Sequence, residues 1–340
     1  MRVTIRDVAN AAGVSAATVS RVLNRPDLVD SETLDRVRSV MEMMEYHPNA
    51  IARGLSVRRS ETIGLIVPGI TDLFFNELYK GIDQESQRHG LKVLLYDSEH
   101  SRERALEGFS FLGGYQVAGI IFTSKLVTED YDPILQRLDI PVALTLTQRT
   151  SKTPLPAFRV DDVRATFELV AYLVSRGHRQ IGMIAGKQSD DSTGQLRLRG
   201  YEQGLQHFGI PFDPRLVEYG QYRFDDGYAA MQRLLDKQPD ITLTAVCAAA
   251  DEMALGAIRC LNDHGLRVPE DMSVVGFDDL PIARMVTPRL TTVAQPFADI
   301  GAEAVRWLVE AIADNTTSAE VGDYFLPHRI VERESVRTIM

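Results

Sequence analysis

Two sets of residues in this 340-residue chain have the types and spacing to do chemistry. The first is Ser15-Ala16-Ala17-Thr18-Val19-Ser20-Arg21-Val22-Leu23-Asn24. Ser15 is placed to cap a helix whose apolar stripe is Val19, Val22 and Leu23, which leaves Ala16, Ala17, Thr18, Ser20 and Arg21 facing outward. Methyl groups meet a thymine methyl, and one guanidinium matches the acceptors of a guanine, so this face suits the reading of base edges. The second set lies at the ends of apolar runs: Asp72, Phe74 and Phe75; Asp191, Thr193 and Arg197; Tyr222; and Asp278, followed by Asp279. Aromatic faces hold the apolar side of a ring while carboxylates and an arginine fix its hydroxyls, the signature of a sugar site.

The elements that must position the first set are short helices. Thr4 caps the first of them and Asp7 answers the cap three residues on, while Gly13 supplies the left-handed residue that ends it. Val19, Val22 and Leu23 then face back onto Ile5, Val8 and Ala12. A pair of this kind fits a major groove, which admits one helix and is read by its N-terminal residues. Ser31 is the expected cap of a third helix with Leu34, Val37, Met41 and Met44 along one face, and Pro48 stops the run. Residues 49–56 make about two helical turns, contain Gly54, and are too short to persist alone.

From residue 61 the pattern becomes β-rich runs alternating with amphipathic helices. Runs beginning at Thr62, Lys92, Gly119 and Pro141, and again at Gln180, Thr244 and Ser273, are near-continuously apolar, as in parallel strands covered on both faces. Helices are expected near 162–176, 194–209, 225–236 and 251–265, the last opening on Asp251 as a cap. This alternation predicts two doubly wound α/β lobes, with ligand beyond the carboxyl ends of the strands where the lobes face each other.

The run Thr4–Asn24, the stretch Tyr46-His47-Pro48-Asn49-Ala50-Ile51-Ala52-Arg53-Gly54-Leu55 and the pattern that follows resemble the lactose-repressor (LacI/GalR) family of bacterial transcription regulators over nearly the whole chain. The resemblance implies an all-α helix-turn-helix head at 1–48 and a hinge helix or linker at 49–60. It also implies a periplasmic-binding-protein-like clamshell at 61–340, with an N-lobe of about 61–160 and 291–322 and a C-lobe of about 161–290 and 323–340. Crossings between lobes are then expected near 160, 290 and 322. DNA contacts carry over to Thr4, Ser15, Ala16, Ala17, Thr18, Ser20, Arg21 and Asn24. In the hinge they carry over to Asn49, Ala52, Arg53 and Leu55, with Leu55 as the apolar wedge at a minor-groove base step. Arg58 and Arg59 are further candidates for phosphate contacts. Effector contacts carry over to Phe74, Phe75, Arg197, Tyr222 and Asp278, with Asp72, Asp191 and Thr193 close by. Where many relatives carry a polar residue just before the aspartate at 251, this chain has Ala250. A phosphorylated ligand calls for several cations and only Arg197 is evident, which favours a neutral sugar over a sugar phosphate; a nucleoside or purine is the other alternative.

Composition bounds the remaining choices. The net charge is -10, yet residues 1–60 hold nine arginines against seven Asp and Glu, so the acidic excess lies in the lobes. A head of such modest charge binds phosphates weakly alone, which points to a homodimer on operator double-stranded DNA. No apolar run is long enough to span a bilayer and the N-terminus does not read as a secretory signal, so a cytoplasmic protein without membrane contact is expected. Cys247 and Cys260 sit in apolar runs without metal-ligand spacing, consistent with packing in a reducing compartment. There is no Gly-x-Gly-x-x-Gly, no Gly-x-Ser-x-Gly elbow, and Gly186-Lys187 runs into Gln188 rather than a phosphate loop. Neither catalysis, a cofactor nor a metal is expected, and the attached head disfavours a transport binding protein. The C-terminal run Tyr324–Arg333 reads as one final strand with no heptads behind it.

Overall fold

The computed structural model describes residues 3–46, 60–124, 126–187, 193–237, 243–314 and 321–339. The chain divides into two compact units, one drawn from the described residues up to Glu61 together with Gly114–Ala118 and the other from Thr62–Gly113 and the described residues from Gly119 onward.

The first unit holds α1 (Ile5–Ala12), α2 (Ala16–Asn24) and α3 (Ser31–Met43). Thr4 and Asp7 close a capping box, Gly13 ends α1 at φ 67°, and Ser15 caps α2 by accepting from the Thr18 N–H. The third cap is one residue earlier than the sequence predicts: Asp30, not Ser31, accepts from the Thr33 N–H at 2.8 Å. A carboxylate adds its charge to the hydrogen bond at the positive end of the helix, which is why it takes the position. Val8, Val19 and Val37 are fully buried, with Ala9, Ala12 and Val22 around them and Ile5, Leu34, Met41 and Met44 packed on the outside. Each buried valine contributes about 1.5–3 kcal/mol. In so small a core one cap, worth about 1 kcal/mol, is a sizeable share of the stability.

The second unit is two α/β lobes. The first begins with β1 (Thr62–Val67), α4 (Phe75–Arg88), β2 (Lys92–Asp97), α5 (Arg102–Gly114), β3 (Ile120–Thr123) and a short β4 (Leu126–Val127). It continues with α6 (Asp132–Leu135), β5 (Val142–Thr145), β6 (Gln148–Arg149) and β7 (Ala157–Arg159). The second lobe holds α7 (Asp162–Ser175), β8 (Ile181–Ala185), α8 (Thr193–His207), β9 (Val217–Tyr219), α9 (Phe224–Asp236), β10 (Ala245–Ala248), α10 (Asp251–Asp263), β11 (Ser273–Asp278) and β12 (Thr291–Ala294). Then α11 (Phe297–Ala313) returns to pack on α4, β13 (Asp323–Phe325) joins the first sheet and β14 (Arg329–Val331) the second.

The first sheet is ordered β13-β7-β5-β3-β1-β2 and is parallel throughout; the second is β14-β12-β11-β10-β8-β9, with only β14 antiparallel to its neighbour. The apolar runs read from the sequence are strands, but the run from Lys92 is not the buried strand expected: β2 lies at the edge of its sheet, and its residues are half-buried or exposed because no further strand covers it. Two of the three crossings differ from the expected positions. The first is near 160, but Thr291–Ala294 pairs with β11 in the second sheet, so the chain leaves that lobe after Ala294 rather than near 290. The run expected as one final strand is two strands in different sheets, and the third crossing falls between Phe325 and Arg329 rather than near 322. Pro327 lies between them and has no N–H to extend either ladder.

One close approach fixes the outer layer of the first lobe. A Cβ on Gly81 of α4 would stand 1.9 Å from the Ala298 carbonyl oxygen, and one on Gly301 of α11 would stand 2.6 Å from the Leu78 oxygen. Only glycine lets these two backbones meet.

Candidate functional site

In the head, the capping side chains are committed to their helices. Thr4 Oγ1 donates to Asp7 Oδ2 at 2.7 Å, and the Thr4 N–H donates to the same oxygen at 2.8 Å. These hydrogen bonds, the hydroxyl first, hold the Asp7 carboxyl below its ordinary pKa. Ser15 Oγ accepts from the Thr18 N–H at 3.1 Å and lies 2.9 Å from the Thr18 hydroxyl. Ala17 and Arg21 are exposed one turn apart on α2, and no ion pair occupies the Arg21 guanidinium among the described residues. Thr18 and Ser20 are half-buried. Ala16, read from the sequence as outward, is instead half-buried and packs on the head core, because the first turn of α2 lies close to that core. The Asn24 side chain and the hinge residues Asn49, Ala52, Arg53 and Leu55 lie outside the described residues.

In the second unit a cavity of about 500 Å³ opens between the lobes. It is reached from the carboxyl ends of strands in both sheets: Pro68 and Asp72 after β1, Thr123 ending β3, Leu146 after β5, Arg159 ending β7, Tyr222 after β9, Ala250 after β10 and Asp278 ending β11. Two parallel sheets presented end to end make such a crevice wherever their strands stop. Four of its lining residues, His100, Leu146, Tyr222 and Asp278, have positive φ although none is glycine. Strained backbone of this kind persists where the surrounding fold holds it and clusters at ligand sites.

The deep end is built on Arg197. Its guanidinium lies 3.6 Å over the Phe277 ring, with Nε donating to Asp162 Oδ1 at 2.9 Å and a terminal nitrogen to the Ala249 carbonyl at 2.5 Å. The same terminal nitrogen stands 3.6 Å from Asp278 Oδ1. Burial raises the Asp162 pKa against the pull of Arg197. Asp278 is pushed up to about 6, by burial first and by the Asp162 and Glu252 charges, while Arg197 and the Gln295 amide oppose the rise. Gln295 donates to Asp278 at 2.7 Å. Tyr222 closes one side; its hydroxyl is seated over Gly186 and Gly194, where a Cβ would stand 2.2 and 2.6 Å away. Phe74 lines the opposite lobe, 6.0 Å from the Phe297 ring.

Of the residues singled out from the sequence, Asp72, Phe74, Thr193, Arg197, Tyr222 and Asp278 meet at this cavity. Phe75 does not: it turns away to meet the Tyr79 ring in a tilted contact at 5.6 Å and pack on the first-lobe core, because it begins α4 one residue beyond Phe74. Asp191 lies outside the described residues. Asp251 is buried behind the wall, accepting from the Leu280 N–H at 2.8 Å and the Thr292 hydroxyl at 2.5 Å; the cap position of α10 is Ala250, which does line the cavity.

Sequence reasoning missed Arg159, Arg223, His100, Asp162 and Glu252, so Arg197 is not the cavity's sole cation. The strand-end rule that selected Asp278 would have selected Arg159, and Arg223 directly follows Tyr222. Each arginine has a carboxylate in reach: Arg159 meets Asp323 at 3.1 Å, and Arg223 meets Asp72 and, at 3.5 Å, Glu252. Five carboxyl side chains line the cavity against three arginines, so its lining remains negative on balance. Among the described residues no cluster fits a metal ion and no helix is long and apolar enough to cross a membrane.

The model of bacterial regulatory proteins of the lacI family matches residues 4–49, and that of the periplasmic binding protein-like domain matches 170–336. Catabolite control protein A of Priestia megaterium is 36% identical over 99% of this chain and 100% of its own length. Among solved structures, the lac repressor dimer bound to operator and the anti-inducer ONPF is 30% identical, with 99% and 100% of the two chains covered and a TM-score of 0.88. The complex of the transcriptional regulator CelR with cellobiose is 33% identical, covering 98% and 100%, with a TM-score of 0.73.

Proposed function

This chain belongs to the lacI family of bacterial regulatory proteins, and from that premise we infer that it is a repressor of carbohydrate-utilisation genes. It reads operator double-stranded DNA as a homodimer and answers to a small neutral sugar bound between its lobes. The observation that carries the ligand reading is the cavity itself. Aromatic faces at Phe74 and Tyr222 flank a buried arginine whose guanidinium is already neutralised by Asp162 and Asp278. A neutral polyol gains charge-assisted hydrogen bonds from both signs there. A phosphate would have to displace carboxylates from the arginines and meet the remaining negative excess, which disfavours the sugar-phosphate alternative.

The related regulator bound to cellobiose and the lac repressor dimer on operator support the sugar and dimer assignments. On the DNA side, the exposed Ala17 and Arg21 support base reading by α2. Thr4 and Ser15 serve the DNA by holding the helix ends at which N–H groups meet phosphate. The hinge residues Asn49, Ala52, Arg53 and Leu55 take the minor groove in this reading. Ligand and operator then bias the same lobe arrangement, and each changes the other's affinity by the same factor.

A thermal-shift screen of the full chain against mono- and disaccharides, sugar phosphates and nucleosides tests the ligand class. A ligand at a hundred times its Kd stabilises by about 2.7 kcal/mol. Stabilisation by a neutral sugar is the expected result. Stabilisation by a sugar phosphate or a nucleoside, with none by neutral sugars, overturns it.

A further inference from the structure

The mouth of the cavity carries a charge chain that runs from one lobe to the other through Asp72. His100 and Asp72 belong to the first lobe, and Arg223 and Glu252 to the second. His100 Nε2 stands 3.4 Å from Asp72 Oδ1, Arg223 donates to the same Asp72 oxygen from across the cleft, and Glu252 stands 3.5 Å from the other side of the guanidinium. Asp72 is only 6% exposed while Arg223 is 43% exposed, so the pair is desolvated on the Asp72 side and reached by solvent and salt on the Arg223 side. Arg223 is in turn held at the start of α9, where its N–H donates to Asp226 at 3.3 Å.

We propose that Asp72 and Arg223 form a latch between the lobes that closes the cavity in the absence of ligand and sets the basal balance between open and closed arrangements. Its part in regulation rests on the repressor reading above; the latch itself does not. A ligand entering the cleft either leaves the latch in place and adds to it, or must offer Arg223 an acceptor and Asp72 a donor to replace it. Neighbouring hydroxyls of a sugar ring do both. The deep contacts at Arg197 then determine whether a ligand binds, and the latch determines how far its binding moves the lobes.

The latch is tested without any ligand. Ser124 lines the cavity, whereas Cys247 and Cys260 are buried with thiols pushed up to about 12 and about 11, so a Ser124→Cys reporter supplies the reactive thiol of the full chain. Its rate of labelling by a bulky maleimide dye reads how often the cavity opens. Asp72→Asn and Arg223→Gln are each expected to speed labelling roughly fivefold to thirtyfold, the range of a partly buried charged hydrogen bond, and the double variant no more than either alone. Molar potassium chloride is expected to speed the reporter protein with the latch intact but not the double variant, because screening then acts within about 3 Å. Rates unchanged by either substitution and by salt overturn the proposal, as do effects that add. Faster labelling in a protein stabilised by no sugar upholds the latch and removes the ligand reading; unchanged labelling in a protein that binds sugar does the reverse.

Discussion

Asp278→Asn offers a direct measurement of the electrostatics at the deep end of the cavity. The wild-type carboxyl titrates at about 6 in the fold and at about 3.9 in an unfolded chain. That hundredfold or so difference in proton affinity is worth about 3 kcal/mol. Because the folded value is the higher one, the folded state takes up the proton first on acidification. This group's contribution to stability is fully present below pH ~4 and is lost as pH rises through 6. Between pH 7 and pH 4.5 the wild-type protein therefore gains about 2 kcal/mol from Asp278 that a non-titrating asparagine does not supply. Asparagine keeps an acceptor for Gln295 and has the shape of aspartate, so the substitution leaves the backbone demand of the positive φ at this position unchanged. Asp251 remains in both proteins, raised well above the carboxylate range mainly by its burial and next by repulsion from Asp278, so the comparison reads the apparent value of the pair. Urea unfolding followed by far-UV circular dichroism at several pH values in this window gives the free-energy gap between wild type and variant. A gap that moves by about 2 kcal/mol towards the wild type on acidification is expected. A gap that stays constant would refute the burial and charge argument for Asp278.

Arg197→Ala should remove the stabilisation by sugar and cost about 3–5 kcal/mol, because Asp162 and Asp278 lose their buried counter-charge; adding Asp162→Asn should recover part of the stability and none of the binding. If thermal unfolding with sugar still shows the full shift, Arg197 leaves the site. Arg21→Ala should weaken operator binding by about 1–3 kcal/mol and relax preference at one position per half-site, measured at fixed salt; uniform loss on all sequences would make Arg21 a phosphate anchor. Leu55→Ala should reduce operator bending in a phased gel-shift assay and leave sugar affinity intact, and unchanged bending would return that residue to a plain linker.

What was legible in the sequence was local. The capping box at Thr4 and Asp7, the left-handed Gly13 and the Ser15 cap each satisfy backbone groups within a few residues, so spacing alone displays them. The buried parallel strands were legible for a similar reason, since being covered on both faces leaves no room for polar alternation. The partners of the site's charges are not local. Arg197 reaches a carbonyl 52 residues away, and Arg223 and Asp72 are 151 residues apart, so the cavity looked shorter of cations than it is. Phe74 and Phe75 are alike as residues, and only the start of α4 sends one to the cavity and the other to Tyr79. The run through Pro327 was apolar enough to read as one strand, and its division between sheets became visible only with the neighbours in place.

The return of α11 and β13 to the first lobe has a consequence for how this protein is made. The edge of β7 at Arg159 is paired by β13 at Asp323, and α4 is covered by α11, so pieces of one lobe are separated by the whole of the other. A ribosome adding about 5–20 residues per second needs roughly ten to thirty seconds between them. During that interval the nascent first lobe carries an open strand edge and the bare Gly81 face of α4, while the second lobe is emerging beside it. The order of synthesis therefore requires the second lobe to fold promptly and leave that surface alone, which makes this stage the one at which a holding chaperone matters most to the yield of native protein.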